Sequence, residues 1–126
     1  MAYLDDGEQF SLLVGKTLTK AENIDDEVIY FKASDGSQYE LYHDQDCCER
    51  VMVDDICGDL ADLLGSPILS AEEATSDQDP PDPNTWESVT WTFYKLATVK
   101  GSVTIRWCGR SNGYYSESVE FRKFGD

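Results

Sequence analysis

The sequence predicts an α+β domain, a twisted antiparallel β-sheet with one short helix packed on it. Three observations carry that expectation. A hairpin is written into residues 28–42, three successive strands into the C-terminal third, and one helical period into residues 55–64. At 126 residues the chain has the length of a single domain, and 40% apolar residues with 12% aromatics suffice for a core.

Taken in order, residues 12–15 (Leu-Leu-Val-Gly) read as a short helical turn closed by glycine. Residues 16–22 are a polar strand of the kind that lies at a sheet edge. Residues 28–33 (Val-Ile-Tyr-Phe-Lys-Ala) are β-branched and aromatic, which favours a strand. Asp35-Gly36 supplies a tight turn, and residues 38–42 return as the partner strand. Residues 50–53 are a further short strand. Next, Ile56, Leu60, Leu63 and Leu64 recur at helical spacing with Asp55, Asp59 and Asp62 facing away, and Gly65 and Pro67 mark the end.

Residues 68–73 resume an extended strand. Residues 75–85 hold three prolines and three aspartates and read as a loop inside the domain, because neither flank has a complete core. Residues 86–99 then form a long strand in which Trp91 and Phe93 alternate with Thr90, Thr92 and Tyr94. Lys100-Gly101-Ser102 turns it into residues 103–108, where Val103, Ile105 and Trp107 share a face. Ser111-Asn112-Gly113 turns again into residues 114–124, with Val119 and Phe121 on one face. These strands predict a meander with Trp91 and Trp107 as cross-strand core partners. Asn112-Gly113-Tyr114-Tyr115 is a candidate protein-contact tip.

The chain carries 25 acids against 10 bases, a net charge of −15. A field of that sign disfavours direct binding to nucleic acid and docking on an anionic membrane. No apolar run is long enough for a membrane helix, and the first residues lack the pattern of a signal peptide. The expected address is a reducing cytoplasm, with the four cysteines as thiols or ligands. The charge is uneven: residues 1–43 are net −6, residues 44–87 net −12 and residues 88–126 net +3.

The unusual segment is His43-Asp44-Gln45-Asp46-Cys47-Cys48-Glu49, which holds the one histidine and two of the cysteines. With Tyr42 before it, it resembles the signature of a small uncharacterised family of bacteriophage and bacterial proteins. The likeness extends to residues 54–60, residues 65–69 and Gly113-Tyr114-Tyr115-Ser116-Glu117, and so covers most of the chain from about Val14 onward. What the resemblance implies is a phage or prophage origin, with no assigned activity.

Three chemistries fit the segment. His43 with Cys47 or Cys48, and Asp46, Glu49 or Cys57, would give a tetrahedral zinc site, although adjacent cysteines usually point apart. A Cys/His nucleophile is the second, weakened by neighbouring acids that disfavour the thiolate. In the third, Cys47 and Cys48 are small buried apolar groups, and His43 and Asp44 tie the turn through backbone hydrogen bonds. The third fits the residues best, with zinc as the alternative.

The acids of the middle third favour a non-enzymatic protein that binds a host protein. Asp55, Asp59, Asp62, Glu72 and Glu73, seconded by Asp44 and Asp46, would form a negative patch resembling duplex phosphates. Such a patch blocks a basic nucleic-acid-binding surface, and the concrete case is a phage-encoded anti-CRISPR protein occupying the groove of a CRISPR effector. Oligomeric state is not legible.

Overall fold

The computed structural model describes residues 10–78, 88–112 and 116–124, apart from the side chains of residues 77 and 78. A 3-10 turn (Phe10–Leu13) precedes strands β1 (Leu18–Ile24), β2 (Val28–Ala33), β3 (Gln38–Tyr42) and β4 (Arg50–Cys57). A second 3-10 turn (Leu60–Leu63) leads to β5 (Ser70–Gln78), β6 (Ser88–Thr98), β7 (Gly101–Ser111) and β8 (Glu120–Phe124). The strands form two antiparallel four-stranded sheets, ordered β1-β2-β3-β8 and β4-β7-β6-β5. The chain changes sheet twice, from β3 to β4 through residues 43–49 and from β7 back to β8.

Strand alternation builds the core. Ile29 and Phe31 of β2, Tyr39 and Leu41 of β3 and Phe121 of β8 face inward from the first sheet. Tyr94 and Leu96 of β6 and Val103, Ile105 and Trp107 of β7 face them from the second, forming one continuous cluster, with Thr92 buried on the same face. Phe10 joins the layers, with its ring 4.8 Å from Tyr94 and 5.4 Å from Phe121. The buried Tyr39 stacks on Phe121 at 5.7 Å, and its hydroxyl meets Ser37 Oγ at 2.8 Å, so its polar atom is not orphaned.

The antiparallel sheet of the sequence-based expectation is present, and the hairpin of residues 28–42 occurs with its expected strands and turn. The helix over residues 55–64 is not. Asp55, Ile56 and Cys57 instead continue β4, opposite Arg106, Ile105 and Thr104 of β7. A bulge between Val53 and Asp55 leaves both Asp54 and Asp55 exposed and returns Ile56 to the core side. At Gly58 (φ +110°) a Cβ would lie 2.6 Å from the Ser102 carbonyl oxygen, so the strand ends there on a residue that must be glycine. Asp59 then caps the single 3-10 turn by accepting the Ala61 N–H at 3.0 Å. The apolar spacing that mimics a helix is met by a strand end followed by one turn.

The C-terminal meander is also corrected. β6 and β7 form the expected hairpin, but β8 leaves them and pairs with β3, Leu41 opposite Phe121. The return segment crosses over β7 closely enough that a Cβ on Gly109 would lie 2.7 Å from the Glu117 carbonyl oxygen. Trp91 and Trp107 are not core partners. Trp107 lies opposite Thr92 and is fully buried, whereas Trp91 lies opposite Cys108 on the outer face with Arg106 over its ring at 5.1 Å. Residues 75–78, expected in the loop, pair with β6 as far as Gln78 opposite Val89. The rest of that loop, and Gly113, Tyr114 and Tyr115, lie outside the described residues.

The β1–β2 turn places two aspartates, Asp25 (φ 56°) and Asp26 (φ 60°), in the left-handed region, closed by Glu27 N–H donating to the Ile24 carbonyl at 3.0 Å. That is type I′ geometry, which favours glycine. Asp25→Gly removes the Cβ conflict and is expected to raise stability by about 0.5–1 kcal/mol in urea unfolding. An unchanged or lower midpoint contradicts the turn.

Candidate functional site

Residues 43–49 carry the chain from one sheet to the other, so their amides leave the ladder and need other partners. Glu49 supplies them. Its side chain is fully buried; Oε2 accepts the Asp46 N–H at 2.8 Å and Oε1 accepts the Cys47 N–H at 2.9 Å. The equally enclosed His43 ring (side chain 4% exposed) completes the site, with Nε2 2.7 Å from Glu49 Oε2 and Nδ1 2.7 Å from the carbonyl oxygen of Ser118. Nδ1 therefore donates to that carbonyl, and Nε2 meets the carboxylate. Gln45 closes the crossover, its amide donating to the Glu49 carbonyl at 2.6 Å.

Ser118 belongs to the return from β7 to β8, so His43 ties the two crossings together. Glu117, next to it, is buried and accepts from Thr90 Oγ1 at 2.7 Å and from Ser111 Oγ. The return segment is therefore held from both sides, to β6 and β7 by Glu117 and to the first crossover by Ser118. Burial pushes the Glu49 carboxyl up, but the amides of Cys47 and Asp46 and the His43 donor outweigh it and hold it down at about 2.

The expectation of buried cysteines is corrected: Cys47 and Cys48 are exposed and disulfide-bonded to each other, while Cys57 and Cys108 are free thiols. The crossover is held by hydrogen bonds to a buried acid, which leaves no apolar pocket for the sulfurs to fill. For zinc, His43 would have to give up Ser118 or Glu49 and the two cysteines each other. Among the described residues no three His, Cys, Asp or Glu groups converge on an ion-sized position.

The seven acids expected to form one patch are spread over the fold. Asp44 and Asp46 are exposed on the crossover, while Asp59 and Asp62 sit beyond the other end of β4, about 25 Å away for eight strand residues. Asp55 lies between them. Asp59 is a turn cap, and the backbone carbonyl of Asp62 accepts from Thr98 Oγ1 at 2.6 Å. Glu72 and Glu73 are on β5, the far edge of the sheet, opposite Lys95 and Tyr94, and burial pushes the Glu73 carboxyl up.

The fold gathers a different set. Val28 pairs with Tyr42, and the Asp26 carbonyl accepts the Val53 N–H at 2.8 Å, so the β1–β2 turn lies against β4. Asp25, Asp26 and Glu27 are exposed at that turn, and Asp44 and Asp46 are exposed on the crossover. Glu27, Tyr42, Gln45, Arg50 and Met52 share the lining of one open groove of about 560 Å³, floored by His43 and Glu49. Sequence reasoning missed this juxtaposition, and it missed Glu117 and Ser118. The one available signal was three consecutive acids between two strands.

Residues 11–121 match the model of a domain of unknown function, DUF7448. The chain belongs to that family. No curated protein and no solved structure matches it. Both crossings, with His43, Glu49, Glu117 and Ser118, fall inside the DUF7448 segment. No helix among its described residues is long and apolar enough to cross a membrane.

Glu49 is held below its ordinary 4.5, so its contribution to stability is present above about pH 4.5 and lost as pH falls toward about 2. Urea midpoints measured from pH 6 to pH 2 should fall more steeply across that interval in the wild type than in Glu49→Gln. Parallel curves would mean that Glu49 carries no linkage. At neutral pH, His43→Ala should lower the midpoint, because it strips a buried carboxylate of a hydrogen-bond partner and the Ser118 carbonyl of its donor.

Proposed function

We propose that this DUF7448 protein acts by binding, its acidic crossover end docking on a basic nucleic-acid-binding surface of a host protein. The observation that carries the reading is the groove in which Glu27, at the end of the β1–β2 turn, meets the crossover, with Asp25 and Asp26 exposed on that turn and Asp44 and Asp46 exposed on the crossover. Their backbone is held by a type I′ turn and by the buried Glu49, so the charges are presented without a large ordering cost on binding. Duplex DNA presents one charge per roughly 1.7 Å of axis, and carboxylates fixed on a rigid rim compete for the same arginines and lysines. The most concrete partner is a CRISPR effector, whose guide and target channel is basic. In that case the protein is a phage product working in the host cytoplasm.

Within this proposal the acids divide by position. A Debye length of about 8 Å at physiological salt means that Asp59 and Asp62, a strand length away, contribute little to the field at the crossover. Arg50 lines the same groove and fixes where positive charge is tolerated on the partner.

Capture from host lysate with the purified protein should retain a nucleic-acid-binding protein that added duplex DNA releases. Its affinity should fall at least about tenfold between 50 and 200 mM salt. Asp44→Lys/Asp46→Lys should weaken capture at least about tenfold, and Asp59→Lys/Glu72→Lys much less. Salt-independent capture, or equal loss in both variants, overturns the charge-mimicry reading.

A further inference from the structure

The groove at the first crossover has a volume of about 560 Å³, inside the range of roughly 300–1,000 Å³ that small-ligand sites occupy. Its charged lining is evenly balanced, which is unusual in so acidic a chain. Glu40 is committed to Arg122, and Glu49 to His43 and the amides of Asp46 and Cys47. That leaves one carboxylate, Glu27, and one guanidinium, Arg50. Both are exposed, and among the described residues neither side chain has an ion pair or a hydrogen bond, with the other or with any third group.

The fold keeps these two charges apart. Across the ladder Arg50 stands opposite Arg110, so the paired position offers it a cation and no carboxylate. Glu27 is set at the end of the β1–β2 turn, where its N–H donates to the Ile24 carbonyl at 3.0 Å. Gln45 adds an acceptor to the same lining. Its Nε2 donates to the carbonyls of Cys47 and Glu49 at 3.3 and 2.6 Å, which fixes the amide, and its Oε1 has no partner among the described residues. Val28, Met52 and Tyr42 supply apolar surface. A purely anionic ligand would meet Glu27 and the field of the whole chain, and a purely cationic one would meet Arg50.

We infer that the groove binds a small zwitterion with an apolar body, a free α-amino acid or a dipeptide. The ligand carboxylate lies on Arg50, whose planar fork donates to both of its oxygens. The ammonium donates to Glu27 and to Gln45 Oε1. The apolar body packs on Val28, Met52 and the Tyr42 ring. Because Gln45, Glu49 and the turn at Glu27 are already held, binding orders little beyond the two charged side chains. The inference goes beyond the docking proposal and needs no partner protein, so either fails without the other.

The test is calorimetric titration of the purified full chain with L-leucine, L-phenylalanine and leucyl-leucine. At least one should bind saturably, and the tighter of amino acid and dipeptide identifies the source. The amide of that ligand, which lacks the carboxylate, and its N-acetyl form, which lacks the ammonium, should each bind at least about tenfold more weakly. Arg50→Gln should weaken the zwitterion by the same factor and leave the amide unaffected; Glu27→Gln should weaken the zwitterion and leave the N-acetyl form unaffected. Both variants should keep the wild-type urea midpoint, because neither side chain has an internal partner to lose. No saturable binding of any of the three by about 10 mM, blocked forms that bind as tightly, or equal affinity in wild type and variants overturns the inference.

Discussion

A histidine and a glutamate buried side by side hold the two places where the chain changes sheets. Burying a carboxylate is costly unless enough hydrogen-bond partners surround it, and Glu49 has two backbone amides and the His43 ring. The opposite nitrogen of that ring reaches the carbonyl of Ser118 on the other crossing. Without this arrangement the amides of residues 46 and 47 would lie off the ladder with no partner from the protein. The pair therefore fixes a direction of travel more than it adds contact area, and it determines where β4 begins and where β8 returns.

The sheets themselves follow from strand alternation. Their inner faces are supplied by Phe31, Tyr39 and Leu41 on one side and Tyr94, Ile105 and Trp107 on the other, all fully buried. The outer faces keep amphipathic pairs: Arg106 lies over Trp91 and Arg122 over Tyr42, at 5.1 and 4.8 Å. Arg122 also pairs with Glu40, and Arg106 with Asp54. The bases of the C-terminal third are thus spent partly on neighbouring acids from earlier strands, so its mildly positive balance in the sequence does not make a basic surface.

Charge takes a different shape in three dimensions than along the chain. The acidic middle third is divided by β4 and by the width of a sheet, while the turn at Asp25 and Asp26, from the N-terminal third, is bonded to Val53 of β4, and Glu27 beside it lines the crossover groove. Separation counts because exposed charges more than a screening length apart act independently. The candidate binding end is accordingly a composite of two segments whose proximity depends on β2 pairing with β3 and on one bond from Val53 to Asp26.

Local chemistry by itself determined the hairpin of β2 and β3, the β6–β7 hairpin, the inward rows of Val103, Ile105 and Trp107, and the singularity of residues 43–49. Each of these rests on period-two alternation or on turn residues, which act between neighbours. Only the tertiary structure decided the rest. Residues 55–57 are strand because β7 offers a ladder, although Ile56, Leu60 and Leu64 satisfy a helical period equally well. β8 joins β3 because the return segment passes over Gly109. His43 was legible as unusual, but its partners Glu49 and Ser118 stand six and seventy-five residues away. Burial is what turned that histidine into a tie between sheets, and burial is a property of the assembled layers that no stretch of sequence carries alone.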